Sequence, residues 1–137
     1  MSDGAFLVYT DGACRGNPGP ASIGVSIERP RGTEVATLSE VIGETTNNVA
    51  EYTALLRALE ELDSLGATQV DLRLDSELIV KQIKGQYRVK SEKLKKLFWD
   101  VSVALDKLDS YTIRHIPRDE NKRADALANM ALDRDPT

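Results

Sequence analysis

A single cysteine, Cys14, excludes an intramolecular disulfide, and a single histidine, His115, excludes the Cys/His clusters that hold structural zinc. No apolar run approaches the roughly 20 residues that a membrane span requires. Residues 1–9 carry an acid where a signal peptide would place its basic region, and their apolar stretch is too short for one. Nothing reads as a coiled coil or as a long exposed apolar strip. What is present is ordinary for a globular chain. Its 137 residues, 41% hydrophobic and 29% charged, predict one domain over 1–137 that folds without metal or disulfide. The expectation is a soluble, cytoplasmic monomer.

The formal net charge of −4 argues against a nucleic-acid binder only until its distribution is read. Between Lys81 and Lys96 stand seven basic residues, Lys81, Lys84, Arg88, Lys90, Lys93, Lys95 and Lys96, against one acid, Glu92; the remainder holds 11 basic and 21 acidic residues. A cationic strip of +6 is thus set in an acidic remainder of −10. Such a strip fits either a solvated helix face or a nucleic-acid surface, and Tyr87 inside it favours the second.

Residues 6–10, FLVYT, read as a buried strand followed at once by a glycine-rich turn. Residues 22–28 alternate, with Ile23, Val25 and Ile27 on one face, as a half-buried strand should. A third strand spans about 35–42, beyond the Pro30-Arg31-Gly32 turn. Tyr52, Leu55, Leu56, Leu59 and Leu62 recur at helical spacing in a helix over about 49–65, with Gly66 at its C-terminal end. A fourth strand over 70–74 stops at Asp75. Helical patterns follow at 77–84 and 92–108, then a fifth strand at 111–116 and an alanine-rich helix at 119–132. The order βββαβααβα predicts an α/β domain, one mixed sheet covered by helices on its faces.

Four of the 22 acids stand out. Asp11 and Asp75 close the first and fourth strands, where an unpaired charge beside a buried strand is costly. If those strands are adjacent and parallel, both carboxylates emerge at the carboxyl edge of the sheet, where open α/β sheets bind ligands. Each acid also has a plainer explanation. Asp75 suits an N-cap for the following helix, Asp11 a turn at Gly12, and Asp125 an ion pair with Lys122 or Arg123. Glu51 falls three residues after Asn48, an Asn-x-x-Glu form of the capping box. The chemical alternative takes all four together. Two divalent ions about 3.5–4 Å apart activate a water and stabilise the leaving oxygen of a phosphodiester, and four carboxylates match their charge with hard oxygen ligands.

Residues 9–24 (YTDGACRGNPGPASIG), 45–55 (TTNNVAEYTAL), 74–87 (LDSELIVKQIKGQY) and 115–128 (HIPRDENKRADALA) resemble the four signatures of type 1 ribonucleases H, in family order. The resemblance implies a ribonuclease H-like three-layer fold. Its five-stranded mixed sheet has the first three strands antiparallel, the fourth and fifth parallel to the first, and helices on both faces. It also implies Mg²⁺-dependent cleavage, with Mn²⁺ as a substitute, of the RNA strand of RNA/DNA hybrids, leaving 3′-hydroxyl and 5′-phosphate ends. The family's catalytic and metal-binding acids fall on Asp11, Glu51, Asp75 and Asp125. By that resemblance Asp11 and Asp75 anchor both ions, Glu51 sits between metal and substrate, and Asp125 holds the water-activating ion.

Substrate contacts carry over as well. The turn of Gly16, Asn17, Pro18 and Gly19 and the paired Asn47 and Asn48 match residues that line the minor groove of the hybrid. Amides there can donate to base acceptors and accept from a 2′-hydroxyl. Gly12 belongs to the same substrate-binding set. Cys14 matches a family position near the RNA backbone, or is an ordinary buried thiol. Thr46 matches a position that holds a phosphate of the DNA strand, or is a plain connector.

Two features depart from the family pattern. The 85–91 connection is too short for the basic protrusion that some members carry; the 81–96 strip is expected to stand in for part of it, with weaker affinity and a steep salt dependence. Many members also place a catalytic histidine on a flexible loop before the last acid. His115 has that spacing, ten residues before Asp125, but stands in an alternating pattern that equally fits a strand histidine satisfied by packing. Arg118 is the preferred candidate for the role, through binding of the scissile phosphate. Beside the hybrid endonuclease stand a silent binding module of the same fold, and a nuclease for double-stranded RNA or for single ribonucleotides embedded in DNA.

Overall fold

Three strands follow one another through short turns: β1 (Phe6–Cys14), β2 (Gly19–Glu28) and β3 (Glu34–Thr45). The computed structural model, which describes residues 4–134, continues with α1 (Asn47–Ser64), β4 (Gln69–Leu74), α2 (Glu77–Ile83), α3 (Glu92–Asp106), β5 (Ser110–His115) and α4 (Lys122–Arg134). The strands form one sheet in the order β3-β2-β1-β4-β5. The first three pair antiparallel, and β4 and β5 run parallel to β1. This is the mixed three-layer architecture that the motifs imply. No helix among the described residues is long and apolar enough to cross a membrane.

Because successive side chains of a strand point to opposite faces, register shows which helix covers which face. A Cβ on Gly12 would stand 2.4 Å from the backbone of Ala50 and Glu51 in α1, whereas one on Gly24 would stand 2.0 Å from the Ala124 carbonyl oxygen in α4. Gly12 pairs with Ile23, and Gly24 with Asp11. The face holding Gly12 and Ile23 therefore lies under α1, and the face holding Gly24 and Asp11 lies under α4. The main core sits on the α1 side, where Val8, Val25, Leu72, Leu55, Leu59, Val101 and Leu105 pack between the sheet, α1 and α3.

The sequence pattern makes β2 a half-buried strand with a solvated polar face; both of its faces are in fact buried. Ser22 and Ser26 are fully enclosed, as are Ile23, Val25 and Ile27. The reason is the size of the side chains. Ser22, Gly24 and Ser26 present a low surface on which the alanine-rich face of α4 (Ala124, Ala128, Ala131) lies close. Hydroxyls then bond the helix to the sheet: Ser22 Oγ donates to the Ala128 carbonyl and Ser39 Oγ to that of Leu127, both at 2.6 Å.

Other boundaries move for equally local reasons. Instead of ending at Asp11, β1 stays paired with β2 through Cys14. The first helix begins at Asn47 with Thr46 as its cap, the Thr46 hydroxyl accepting from the Val49 amide, so Asn48 and Glu51 form no capping box. A single 3₁₀ turn, Arg118–Glu120, precedes α4, which starts at Lys122 rather than at 119.

Gly24→Ala is expected to lower the unfolding free energy by about 1–3 kcal/mol or more, because a backbone carbonyl and not a flexible side chain meets the new methyl. Ser22→Ala should cost about 1 kcal/mol through its lost hydrogen bond. Urea denaturation of both variants without metal checks the pair; an unchanged midpoint for Gly24→Ala would contradict the close contact.

Candidate active site

Parallel pairing of Thr10 with Leu74 brings the next residues of β1 and β4, Asp11 and Asp75, to the same edge of the sheet. Asp75 is not the cap of the helix it precedes. Ser76 takes that place, its hydroxyl accepting from the Ile79 amide, which leaves the Asp75 carboxylate to turn toward Asp11. Glu51, one turn into α1, is only 8% exposed. Its Oε1 accepts from the Gly12 amide at 2.6 Å, a bond made possible by the missing side chain at Gly12. Asp125 arrives from the opposite face in the first turn of α4, where it adds to the upward push on the Asp11 carboxyl but stands outside the tight group of Asp11, Glu51 and Asp75. Neither Lys122 nor Arg123 neutralises it; Arg123 pairs with Glu34, and the cation nearest Asp125 is Arg118, at 3.9 Å.

Ligand oxygens of Asp11, Glu51 and Asp75 all lie within 4.8 Å of one another. Such crowding is unfavourable without a cation. Burial, followed by the charges of Glu51 and Asp75, pushes the Asp11 carboxyl up to about 10. Burial likewise pushes Glu51 up to about 7, against the opposing pull of the Gly12 amide. Glu51 Oε2 is enclosed and accepts no hydrogen bond from any described residue. A buried acceptor beside two further carboxylates, all hard oxygens, is the donor set of a divalent cation, and the residues present fit one.

These acids floor a cleft of about 510 Å³ whose walls include Gly12, Cys14, Asn47, Asn48, Arg118 and Asn129. The other sequence candidates stand nearby in differing positions. Asn17 Oδ1 accepts from the Asn47 amide at 3.0 Å, which ties the Gly16–Gly19 turn to the start of α1. Thr46 caps α1, and the Cys14 thiol, half-buried rather than enclosed, lies among the carbonyls of Gly16, Gly19 and Thr45 with one proton to donate. His115 ends β5, paired with Leu74, and is exposed outside the cleft rather than packed. Arg118 reaches the cleft on a side chain that is 84% exposed.

The cationic strip occupies the end of α2, the following loop and the first turns of α3. Lys81 stands 4.9 Å over the half-exposed Tyr87 ring and, like Lys95 and Lys96, has an acidic neighbour on its own helix. Sequence reasoning overlooked Arg15, Asn129 and Leu132 on the cleft wall, and also Asn121. Asn121, buried behind the cleft, lies four residues before Asp125, the spacing of a cap to its first helical turn. A second cleft, lined by Arg29, Arg31 and Gln69 at the opposite edge of the sheet, has no carboxylate among the described residues of its wall.

Comparison with known proteins agrees with this geometry. A family described as reverse transcriptase-like matches residues 9–131. Ribonuclease HI of Halobacterium salinarum is 43% identical over 95% of this chain, and the chain spans 65% of that protein's length. It spans 35% of a 38% identical bifunctional protein of Mycobacterium tuberculosis. Ribonuclease H of Halorhodospira halophila is 38% identical, with 95% of this chain and 94% of that protein covered. Among solved structures, ribonuclease H1 of H. salinarum superposes with a TM-score of 0.92 at 43% identity, covering 95% of this chain and 98% of that one. LC11 ribonuclease H1, in complex with an RNA/DNA hybrid, superposes with a TM-score of 0.89 at 47% identity, covering 93% and 96%. The fold, the order of motifs, the family match over residues 9–131 and the 38% identical ribonuclease H of H. halophila agree: the chain belongs to the type 1 ribonuclease H family.

Proposed function

We propose that this chain is an endonuclease that hydrolyses the RNA strand of RNA/DNA hybrids, with Mg²⁺ as its ion and Mn²⁺ as a substitute, leaving 3′-hydroxyl and 5′-phosphate ends. The observation that carries the reading is the convergence of Asp11, Glu51 and Asp75 around a buried Glu51 oxygen to which no described residue donates a hydrogen bond. A relative of 47% identity solved with a hybrid supports the substrate. When bound, two divalent ions supply charge neutralisation at the scissile phosphate and lower the pKa of water.

The chain's own residues do the rest. Asp11, Glu51, Asp75 and Asp125 hold the ions, drawn from β1, α1, the end of β4 and α4. Asn47 and Asn48 present amides at the start of α1, suited to the 2′-hydroxyls and base edges of a minor groove. Gly12, Cys14, Gly16, Asn17 and Thr46 shape the adjoining wall and turn. Arg118 faces the cleft with a planar guanidinium whose fork of donors suits the oxygens of a phosphate, and binding it is its part. The 81–96 strip extends the contact along the phosphates. All four acids come from one chain, which supports a monomer as the working unit and 1–137 as one catalytic domain.

Asp75→Asn should lower cleavage of an end-labelled hybrid in Mg²⁺ by about 10³-fold or more, since metal charge stabilisation is worth several kcal/mol and each 1.36 kcal/mol is tenfold. Double-stranded RNA and DNA should stay uncut beside it. Full activity in that variant would remove the assignment.

Without metal, melting temperature should fall as pH rises. Asp11 and Glu51 titrate above their ordinary values of 3.8 and 4.5, so the folded state binds more protons than the unfolded one. That part of the stability is complete below about 4 and is lost as pH rises through about 7 and then about 10. Asp11→Asn should melt several degrees higher at pH 8 in chelator, with a flatter pH profile. A steeper fall in the variant would contradict the crowding of charge.

Lys84→Ala and Lys90→Ala should each weaken hybrid binding regardless of sequence and reduce the slope of log affinity against log salt by about 1. Unchanged slopes would make the strip a plain solvated surface.

A further inference from the structure

Asn121 is 1% exposed, yet it is a polar residue that neither the catalytic nor the substrate-binding set includes. Its Nδ2 donates to the Thr10 carbonyl at 2.8 Å and to Asp75 Oδ2 at 3.2 Å. Both partners are acceptors, so the orientation of the amide is fixed by chemistry: the opposite one would set oxygen against two oxygens. Its backbone carbonyl accepts from the Asp125 amide at 3.1 Å, and its own amide donates to the Arg118 carbonyl at 3.0 Å. One side chain and its backbone thus touch the residue before Asp11, the carboxylate of Asp75, the first turn of the helix that carries Asp125, and the segment that carries Arg118.

We propose that Asn121 is the positioning residue of the acidic site, holding one oxygen of Asp75 so that the other is turned toward Asp11 and Glu51, and setting the entry of Asp125. The inference rests on the metal-binding reading above. A cap alone does not need this residue. Serine or aspartate caps a helix equally well, but neither supplies two N–H donors. Aspartate, the nearest in shape, would set a further carboxylate against Asp75. Asn121 Oδ1, enclosed and without a described partner, shows the same preference from the other side: an acceptor is left unsatisfied in order to keep the two donors.

The test uses the whole chain and Mn²⁺ alone as the probe, by titration calorimetry, beside hybrid cleavage. Asn121→Ala and Asn121→Asp should weaken Mn²⁺ binding by about 10–100-fold, the range for groups that orient metal ligands. Turnover should fall with KM for the hybrid unchanged within about twofold, and added metal should restore part of it. In an Asp75→Asn background, Asn121→Ala should cost several-fold less Mn²⁺ affinity than it does in the wild-type chain, which a merely structural role would not predict. If either variant fails to fold, the wild-type chain still decides. Its Asn121 side-chain amide signals should shift during Mg²⁺ titration at the same midpoint as the backbone amides of Asp11 and Asp75. A folded Asn121→Ala with wild-type affinity and turnover, or Asn121 signals that ignore Mg²⁺, would overturn the inference. Wild-type protein that neither binds Mn²⁺ nor cuts hybrid would instead overturn the functional reading beneath it.

Discussion

Helix α1 touches the sheet at Gly12 backbone to backbone, and the rest of the site depends on that contact. With no side chain between them, the Gly12 amide reaches Glu51 and sets it beside Asp11. A methyl group there would push the helix away and separate two carboxylates that belong to different elements. On the other face, Gly24 lets α4 down onto β2 in the same way and delivers Asp125. Asp11 and Gly24 are partners in the ladder, so both close approaches meet at one point of the sheet, where strand register decides which acids meet.

That point concentrates like charge in a place where burial makes charge expensive. A protein shaped only for stability would replace Asp11 or Glu51 with an apolar residue, or give Glu51 Oε2 a donor. Neither has happened. The site resembles a socket with its ligand oxygens already in place, so a cation entering it relieves repulsion and little has to move. The surrounding structure supplies the stability that the acids withdraw, through the large core between α1, α3 and the sheet.

Much of this could be read from residue order. Strand and helix periodicity placed the five strands and four α-helices in order, though not the turn at Arg118–Glu120, and the expected strand ends pointed to Asp11 and Asp75 even though β1 runs on to Cys14. What escaped was set by contacts distant in sequence. Thr45, Thr46, Asn47 and Asn48 are all good helix caps, so local pattern could not choose among them; the contact of α1 with Gly12 does. Ser22 and Ser26 have the polarity of a solvated face, and only the docking of α4 buries them. Asn121 escaped for the same reason, because the groups that give it meaning lie 46 and 111 residues away.

The hydroxyl bonds that seat α4 also have a meaning in time. Ser22 and Ala128 stand 106 residues apart, and Asn121 and Thr10 stand 111 apart. Contacts of such separation form late, since a long stretch of chain must be ordered before they are made. Asp125 joins Asp11, Glu51 and Asp75 only when α4 docks on the sheet, so the hydroxyl bonds that seat the helix also complete the set of acids.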